Sequence, residues 1–212
     1  MRIRHHASLG LAATACLVLS GCTNAADWNA NRSSQIHSFD TSSIQAQPDI
    51  IAKLPQGALE DGVLDVAAST DYAPAEFLDP SGKAVGYDVD LTNAIAAVLG
   101  VKGKVHTAEF DSIIASIGSK YDAGISSFTV TPERTAEVDM TAYINVGSRF
   151  NVQAGNPKGV ETSDHLQLCG RTIGVQVGTA QETTMRDAAD KCAQAGKPVL
   201  SVRSYSKQSE AT

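Results

Sequence analysis

The sequence has no apolar run of the roughly 20 residues that a membrane-spanning helix needs; the stretch Leu9–Leu19 falls well short. Positive charge is not in excess either. Seventeen Lys and Arg stand against 23 Asp and Glu, a formal net charge of −6. With no long basic block and no interleaving of aromatic and basic residues, nothing supports nucleic-acid binding. Cysteine is scarce, at four residues, and neither a second Cys pair nor a His cluster offers metal-ligand spacing. His5 and His6 sit near the N-terminus, His37 lies in a polar stretch, and His106 and His165 stand alone. No convincing catalytic triad or phosphate loop appears, so neither a metal nor a cofactor is expected. What remains is a globular composition, 42% hydrophobic and 19% charged, over 212 residues, enough for one large domain or two small lobes.

The N-terminus reads as a targeting segment. Arg2 and Arg4 form a short basic region ahead of the apolar run, which ends in Leu19-Ser20-Gly21-Cys22. Those four residues resemble the bacterial lipobox, in which the signal is cut before the Cys and its sulfur carries a diacylglycerol. The expectation is a lipoprotein signal over 1–21 and lipidation at Cys22; the alternative is an ordinary secretory signal with an incidental Cys22. The chain would then be exported and lipid-anchored at the outer face of the bacterial cytoplasmic membrane, or periplasmic. Its membrane contact would come from acyl chains rather than a basic patch. Residues 22–49, rich in Ser, Asn, Gln, Thr and Ala, read as a flexible tether. Export leaves Cys169 and Cys192 as an even pair in an oxidising compartment. Cys169 precedes a strand-like segment and Cys192 lies near the end of the helix that follows. An antiparallel helix on its strand brings those ends together, so a disulfide is expected, with two reduced buried thiols as the alternative.

Order is expected from about residue 50. Val63–Ala68 reads as a buried strand, followed by the polar segment Ser69–Phe77, which Pro74 breaks, and a turn at Pro80-Ser81-Gly82. A helix is expected over Asp88–Leu99, with Leu91, Ala94, Ile95, Val98 and Leu99 on its inner face, Asp88 and Asp90 at its N-terminus and Gly100 at its exit. Val101–Thr107 reads as a second strand. Asp111 caps a short helix through Ile117 with Ile113, Ile114 and Ile117 inward. After Met140, Thr141–Val146 and Arg149–Gln153 are strand-like. A new unit then runs from strand Arg171–Val177 through a helix over Ala180–Ala195, with Met185, Ala188, Ala189 and Cys192 on one face, to strand Val199–Val202. Thr179-Ala180-Gln181-Glu182 matches a capping box. Ser204–Thr212 is polar. Strands alternating with helices predict a parallel, helix-covered sheet, whose ligands bind beyond the carboxyl ends of the strands.

Asp122–Arg134 is the most informative stretch. It reads as a short strand, a hydroxyl-rich exit with Ser126, Ser127 and Thr129, and a helix start with Thr131 as N-cap and Pro132 at the first helical position. Hydroxyls, free helix N–H groups and the Arg134 fork suit a carboxylate. The alternative is a capped helix with a solvated Arg.

Ser69-Thr-Asp-Tyr-Ala-Pro74, Gly86-Tyr-Asp-Val-Asp-Leu91, Tyr121–Arg134 and Gly174-Val-Gln-Val-Gly-Thr-Ala-Gln-Glu182 resemble, in order and spacing, the polar amino-acid-binding proteins of ABC importers, bacterial extracellular solute-binding proteins of family 3. The resemblance covers about 60–205. It implies a type II periplasmic-binding-protein fold: two α/β lobes, here lobe 1 over 50–146 and a hinge with a partial lobe 2 over 147–212. It further implies that Tyr72 and Phe110 enclose the ligand side chain. Ser126, Ser127 and Thr129 would bond the α-amino and α-carboxylate groups, and Arg134 would hold the carboxylate bidentately. Gln176 would approach the side chain, and Thr179 and Ala180 would offer N–H groups. Pocket shape around Tyr72, Phe110, Phe128 and Gln176 would set selectivity. The implied partners are a free amino acid and a membrane permease.

Three departures stand out. Ala180 replaces a hydroxyl residue, so that its backbone alone can contribute. Ala75 replaces an aromatic after the Pro, with Phe77 available to fill that space. The family also carries more of lobe 2 after the equivalent of Tyr205, so a truncated member is expected, with a poorly packed second lobe and weak or absent amino-acid binding by the 212-residue chain. The leading function is solute capture for import, without catalysis. An enzyme on the same fold, dehydratase-like, would need a general acid in the cleft, for which Glu76 and Glu109 are candidates; either also reads as a solvated surface residue. A receptor's sensor portion would need a following transmembrane helix, which this sequence does not show.

Overall fold

The computed structural model describes residues 38–212; the basic region, the apolar run, Cys22 and most of the tether lie outside the described residues. A short helix α1 (Pro48–Ile51) precedes strand β1 (Val63–Ala68). Three short antiparallel strands follow, β2 (Asp71–Tyr72), β3 (Glu76–Leu78) and β4 (Ala84–Val85), then helix α2 (Tyr87–Leu99) and strand β5 (Lys102–Thr107). A 3-10 turn at Phe110–Ser112 leads into α3 (Ile113–Ser116), β6 (Ala123–Gly124) and α4 (Pro132–Thr135). The second lobe holds a 3-10 turn at His165–Leu168, strand β7 (Thr172–Gln176), helix α5 (Ala180–Gln194) and strand β8 (Ser201–Tyr205), and ends in a 3-10 turn at Gln208–Glu210.

β1 is the central strand of lobe 1. β5 and β6 flank it, both parallel, with Val63 opposite Lys102 and Val66 opposite Ala123. Val66, Ala67 and Ala68 at its carboxyl end are all buried, as expected of a central parallel strand covered on both faces. Leu64, Val66 and Ala96 of α2 form the core on one face; Ala67, Ile113 and Tyr121 form it on the other.

α2 sits differently from its hydrophobic pattern. Its buried residues are Asp88, Val89, Thr92 and Ala96, whereas Ile95 is 37% exposed and Leu91, Val98 and Leu99 are half-buried. The small residues turn inward because the helix lies close on β5: a Cβ on Gly103 would come within 3.3 Å of Ala96 Cβ. The arm before β1 runs along the helix instead, with Gln47 N–H donating to Val98 O at 2.8 Å and Phe39 N–H to Asp90 Oδ2 at 2.8 Å. Asp111 does not cap α3, whose entry has no side-chain cap. Residues 141–153 form no strand.

In lobe 2, β7 and β8 are parallel, with Thr172 opposite Ser201, and α5 packs across them. Leu168, Val175, Met185, Ala188, Cys192 and Leu200 make a small buried core, but Leu168, Val175 and Met185 also line a cavity of about 380 Å³ beside it, so the lobe is only partly filled. The inward face expected for α5 is the one observed. Cys169 and Cys192 form a disulfide with Cα atoms 5.6 Å apart. The polar final residues are built into the fold. Ser204 and Tyr205 complete β8, and Ser209 N–H bonds Asp71 Oδ2 of lobe 1 at 3.2 Å.

Candidate functional site

Parallel strands deliver the site. Beyond the carboxyl end of β1 come Ser69 and Tyr72; beyond β6 come Ser126, Ser127 and Thr129; beyond β7 comes the start of α5. These ends face one another across a cleft of about 340 Å³ between the lobes. Tyr72, Phe110, Ser126, Ser127, Thr129, Arg134, Gln176, Thr179 and Ala180 all line it. Phe128 does not. It packs on the lobe-1 core with its ring 4.5 Å from Phe110 and supports the guanidinium of Arg134 from below, at 5.3 Å. A second cavity, about 380 Å³, lies within lobe 2 beside β7 and draws only Gln176 and Thr179 from the expected set.

Arg134 enters the cleft because α4 starts as its sequence demands. Thr131 Oγ1 accepts from Arg134 N–H at 3.4 Å, with Pro132 at the first helical position. The guanidinium lies over Phe110 and Phe128 and bridges the lobes: Nη1 donates to Thr129 O at 2.7 Å and Nη2 to Gly178 O at 2.8 Å. Burial lowers its pKa from the usual value. Gln176, 6% exposed, also crosses between lobes, donating to Ser69 Oγ at 3.3 Å and Ser206 O at 3.2 Å. Thr179 is occupied with its own helix: its hydroxyl accepts from Glu182 N–H at 3.1 Å and donates to Gln176 O at 2.7 Å. Glu182 closes the box onto Gly178 N–H at 2.7 Å.

Two carboxyl groups lie under the cleft floor, each 1% exposed: Glu76 and Asp88. The surface reading of Glu76 is therefore corrected; Glu109 is exposed. Glu76 arrives on β3 because its cross-strand neighbours turn it inward beside buried Ala75. Gly86 closes this corner, since a Cβ there would lie 2.2 Å from Ala75 O. Glu76 Oε1 accepts from Ser126 Oγ at 2.5 Å, while Oε2 has no partner. Burial first, and then the neighbouring Asp88, pushes its pKa up to about 9, against the opposing pull of the Ser126 bond.

Asp88 is better served. It accepts from Ser127 N–H and Ser127 Oγ, each at 3.1 Å, and from Tyr143 OH at 2.8 Å. It also lies in the first turn of α2, where a negative charge is favoured. These bonds hold Ser127 in the left-handed region at φ 50°, uncommon for a residue other than Gly. Burial and Asp88 raise the Tyr143 pKa. Asp88 had a sequence signal as a helix-start acid and as part of the Gly86–Leu91 segment, but with no role in the site, and Tyr143 only as part of a strand-like run. No motif marks the network they form.

Known proteins supply an independent comparison. The model of bacterial extracellular solute-binding proteins, family 3, matches residues 64–207. The arginine-binding protein ArgT of Corynebacterium glutamicum is 30% identical over 202 residues, covering 94% of this chain and 63% of that protein. The L-cystine-binding protein TcyJ of Escherichia coli is 33% identical over 129 residues, covering 60% of this chain and 48% of that protein. The chain thus spans about half to just under two thirds of the length of these curated relatives. Among solved structures, an ancestral amino-acid-binding protein described as a precursor of cyclohexadienyl dehydratase superposes with a TM-score of 0.63 at 29% identity, over 72% of this chain and 65% of that one. An ancestral arginine-binding protein bound to arginine gives 0.59 at 32% identity, over 71% of this chain and 63% of that one. The architecture is that of type II periplasmic binding proteins, two α/β lobes with the second one partial. With a family match across both lobes and relatives that bind amino acids, the chain belongs to the bacterial extracellular solute-binding proteins, family 3.

Proposed function

We propose that this chain is the ligand-binding component of an ABC-type amino-acid importer, exported, lipid-anchored through Cys22, and delivering a free amino acid to a membrane permease. The observation that carries the reading is the position of Arg134. Its planar fork sits between the lobes with one arm on Thr129 O and the other on Gly178 O, and a ligand α-carboxylate would have to displace these main-chain oxygens to be held bidentately. In this reading Ser126, Ser127 and Thr129 bond the ligand's amino-acid head. Tyr72 and Phe110 enclose its side chain, and Thr179 and Ala180 meet the carboxylate through N–H groups. Closure follows from the ligand's preference for the joined lobes and needs no catalytic group.

The test is a titration of the 212-residue chain with a panel of L-amino acids that includes arginine, cystine, histidine and glutamine, read by backbone-amide NMR. Weak or absent binding is expected; a Kd near 1 mM corresponds to about −4 kcal/mol. The Ser126–Arg134 amides should shift in the parent chain and not in Arg134→Lys. Unchanged spectra with every amino acid would sink capture by this chain and favour the alternative of a truncated, non-binding fragment, and micromolar binding would overturn the expectation that it binds weakly or not at all. Turnover of a panel member, rather than binding alone, would favour the enzyme reading.

A further inference from the structure

Glu76 and Asp88 are adjacent, almost fully buried, and paired with no cation among the described residues. The two cations at the cleft wall are Arg134, which donates to main-chain oxygens, and Arg149, which makes no ion pair. Two uncompensated carboxylates at low dielectric cannot both ionise without a large cost. The surroundings decide which keeps the proton. Asp88 has three donors and lies in the first turn of a helix, whereas Glu76 has Ser126 alone and an oxygen without a partner. Asp71 and Tyr72 from β2, and Tyr87 from α2, offer no positive charge to Glu76; Tyr143 from the crossover segment serves Asp88. The unpartnered Glu76 oxygen belongs to a residue that lines the cleft.

We propose that Glu76, buried beside Asp88, keeps its proton beneath the cleft, and that ligand capture is linked to the loss of that proton. The linkage rests on the amino-acid-binding reading above. A ligand that brings a cationic side chain to Glu76 converts the carboxyl group to carboxylate. The O–H bond breaks, the proton passes to water, and an ion pair takes its place. A ligand with a neutral side chain leaves the proton where it is.

The linkage has a defined sign. With one proton released on binding, arginine affinity rises about tenfold per pH unit between pH 6 and 8, while glutamine affinity stays flat. Glu76→Gln flattens the arginine profile. The pair itself is read without ligand. A carboxyl whose folded pKa lies above its unfolded value keeps its proton in the fold and loses it on unfolding, so stability falls as pH rises from about 4.5 towards about 9. The melting temperature of the parent chain should decline from pH 6 to 8 more steeply than that of Glu76→Gln, and Glu76→Asp should restore part of the slope. Equal melting slopes for parent and Glu76→Gln, with amino-acid binding intact, would sink the buried proton and the linkage with it, and leave the import reading standing. Parallel pH profiles for arginine and glutamine would sink the linkage. If neither amino acid moved the Ser126–Arg134 amides, capture by this chain and the linkage would both fail.

Discussion

At the residue scale the cleft floor depends on Ser126. Its hydroxyl accepts from Ser69 N–H at 3.0 Å and donates to Glu76 at 2.5 Å, and the residue is 2% exposed. Ser126→Ala leaves a buried N–H and a buried carboxyl oxygen without partners, at a cost of about 1–3 kcal/mol. Urea unfolding should record this as a lower midpoint with an unchanged slope. Tyr143→Phe removes one donor from Asp88 and one acceptor from Ser127 N–H. It should cost about 1–2 kcal/mol and broaden the Ser127 amide resonance as its left-handed conformation loosens. The sequence announced Ser126 through its motif, but it could not announce Tyr143. A hydroxyl that reaches Asp88 from 55 positions away is set by how the crossover chain returns, not by local pattern.

At the element scale the second lobe gives the cleanest expectations. Thr179 caps α5, and Thr179→Ala should lower stability by about 1 kcal/mol. The disulfide spans 23 positions, so Cys192→Ser should cost about 3 kcal/mol in the chain-entropy account, seen as a lower melting temperature that reduction of the parent chain reproduces. β1, β7 and α5 were legible almost to the residue because burial and capping are local signals. The face of α2 was not. Its Leu and Ile pattern argues for one stripe, yet Ala96 and Thr92 face the sheet, because close approach to Gly103 outweighs side-chain size. The runs at 141–146 and 149–153 have strand composition, but a strand also needs a neighbour to exchange hydrogen bonds with, and the described residues pair none there. The antiparallel β2–β3–β4 sheet escaped notice for the opposite reason. Its strands are only two or three residues long, and their order comes from pairing.

At the scale of the whole molecule the lobes meet at a main-chain corner, Gly178, as well as through the Gln176–Ser69 and Ser209–Asp71 bonds. Gly178 has φ +74°, and a Cβ placed there would lie 2.7 Å from Asp111 Cβ and 2.9 Å from Asp111 Cα. Its carbonyl also receives Arg134 from the opposite lobe. Gly178→Ala therefore carries two penalties: a left-handed conformation that disfavours Ala, and a collision with lobe 1. Gly196, at the exit of α5, separates them. It has φ +65° with nothing within 4 Å, so Gly196→Ala pays the backbone strain alone, about 1 kcal/mol. Small-angle scattering and thermal melting on the two variants isolate the interlobe contact. Gly196→Ala should melt lower and scatter like the parent. Gly178→Ala should melt lower and also show a larger radius of gyration, because Asp111 is held by backbone and the lobes must part to admit the methyl group. Arg134→Lys should widen the molecule less, since it removes one bond from this corner without inserting an atom into it. Identical scattering from Gly178→Ala and the parent would mean that the corner yields by local backbone adjustment, and that closure is governed elsewhere in the cleft.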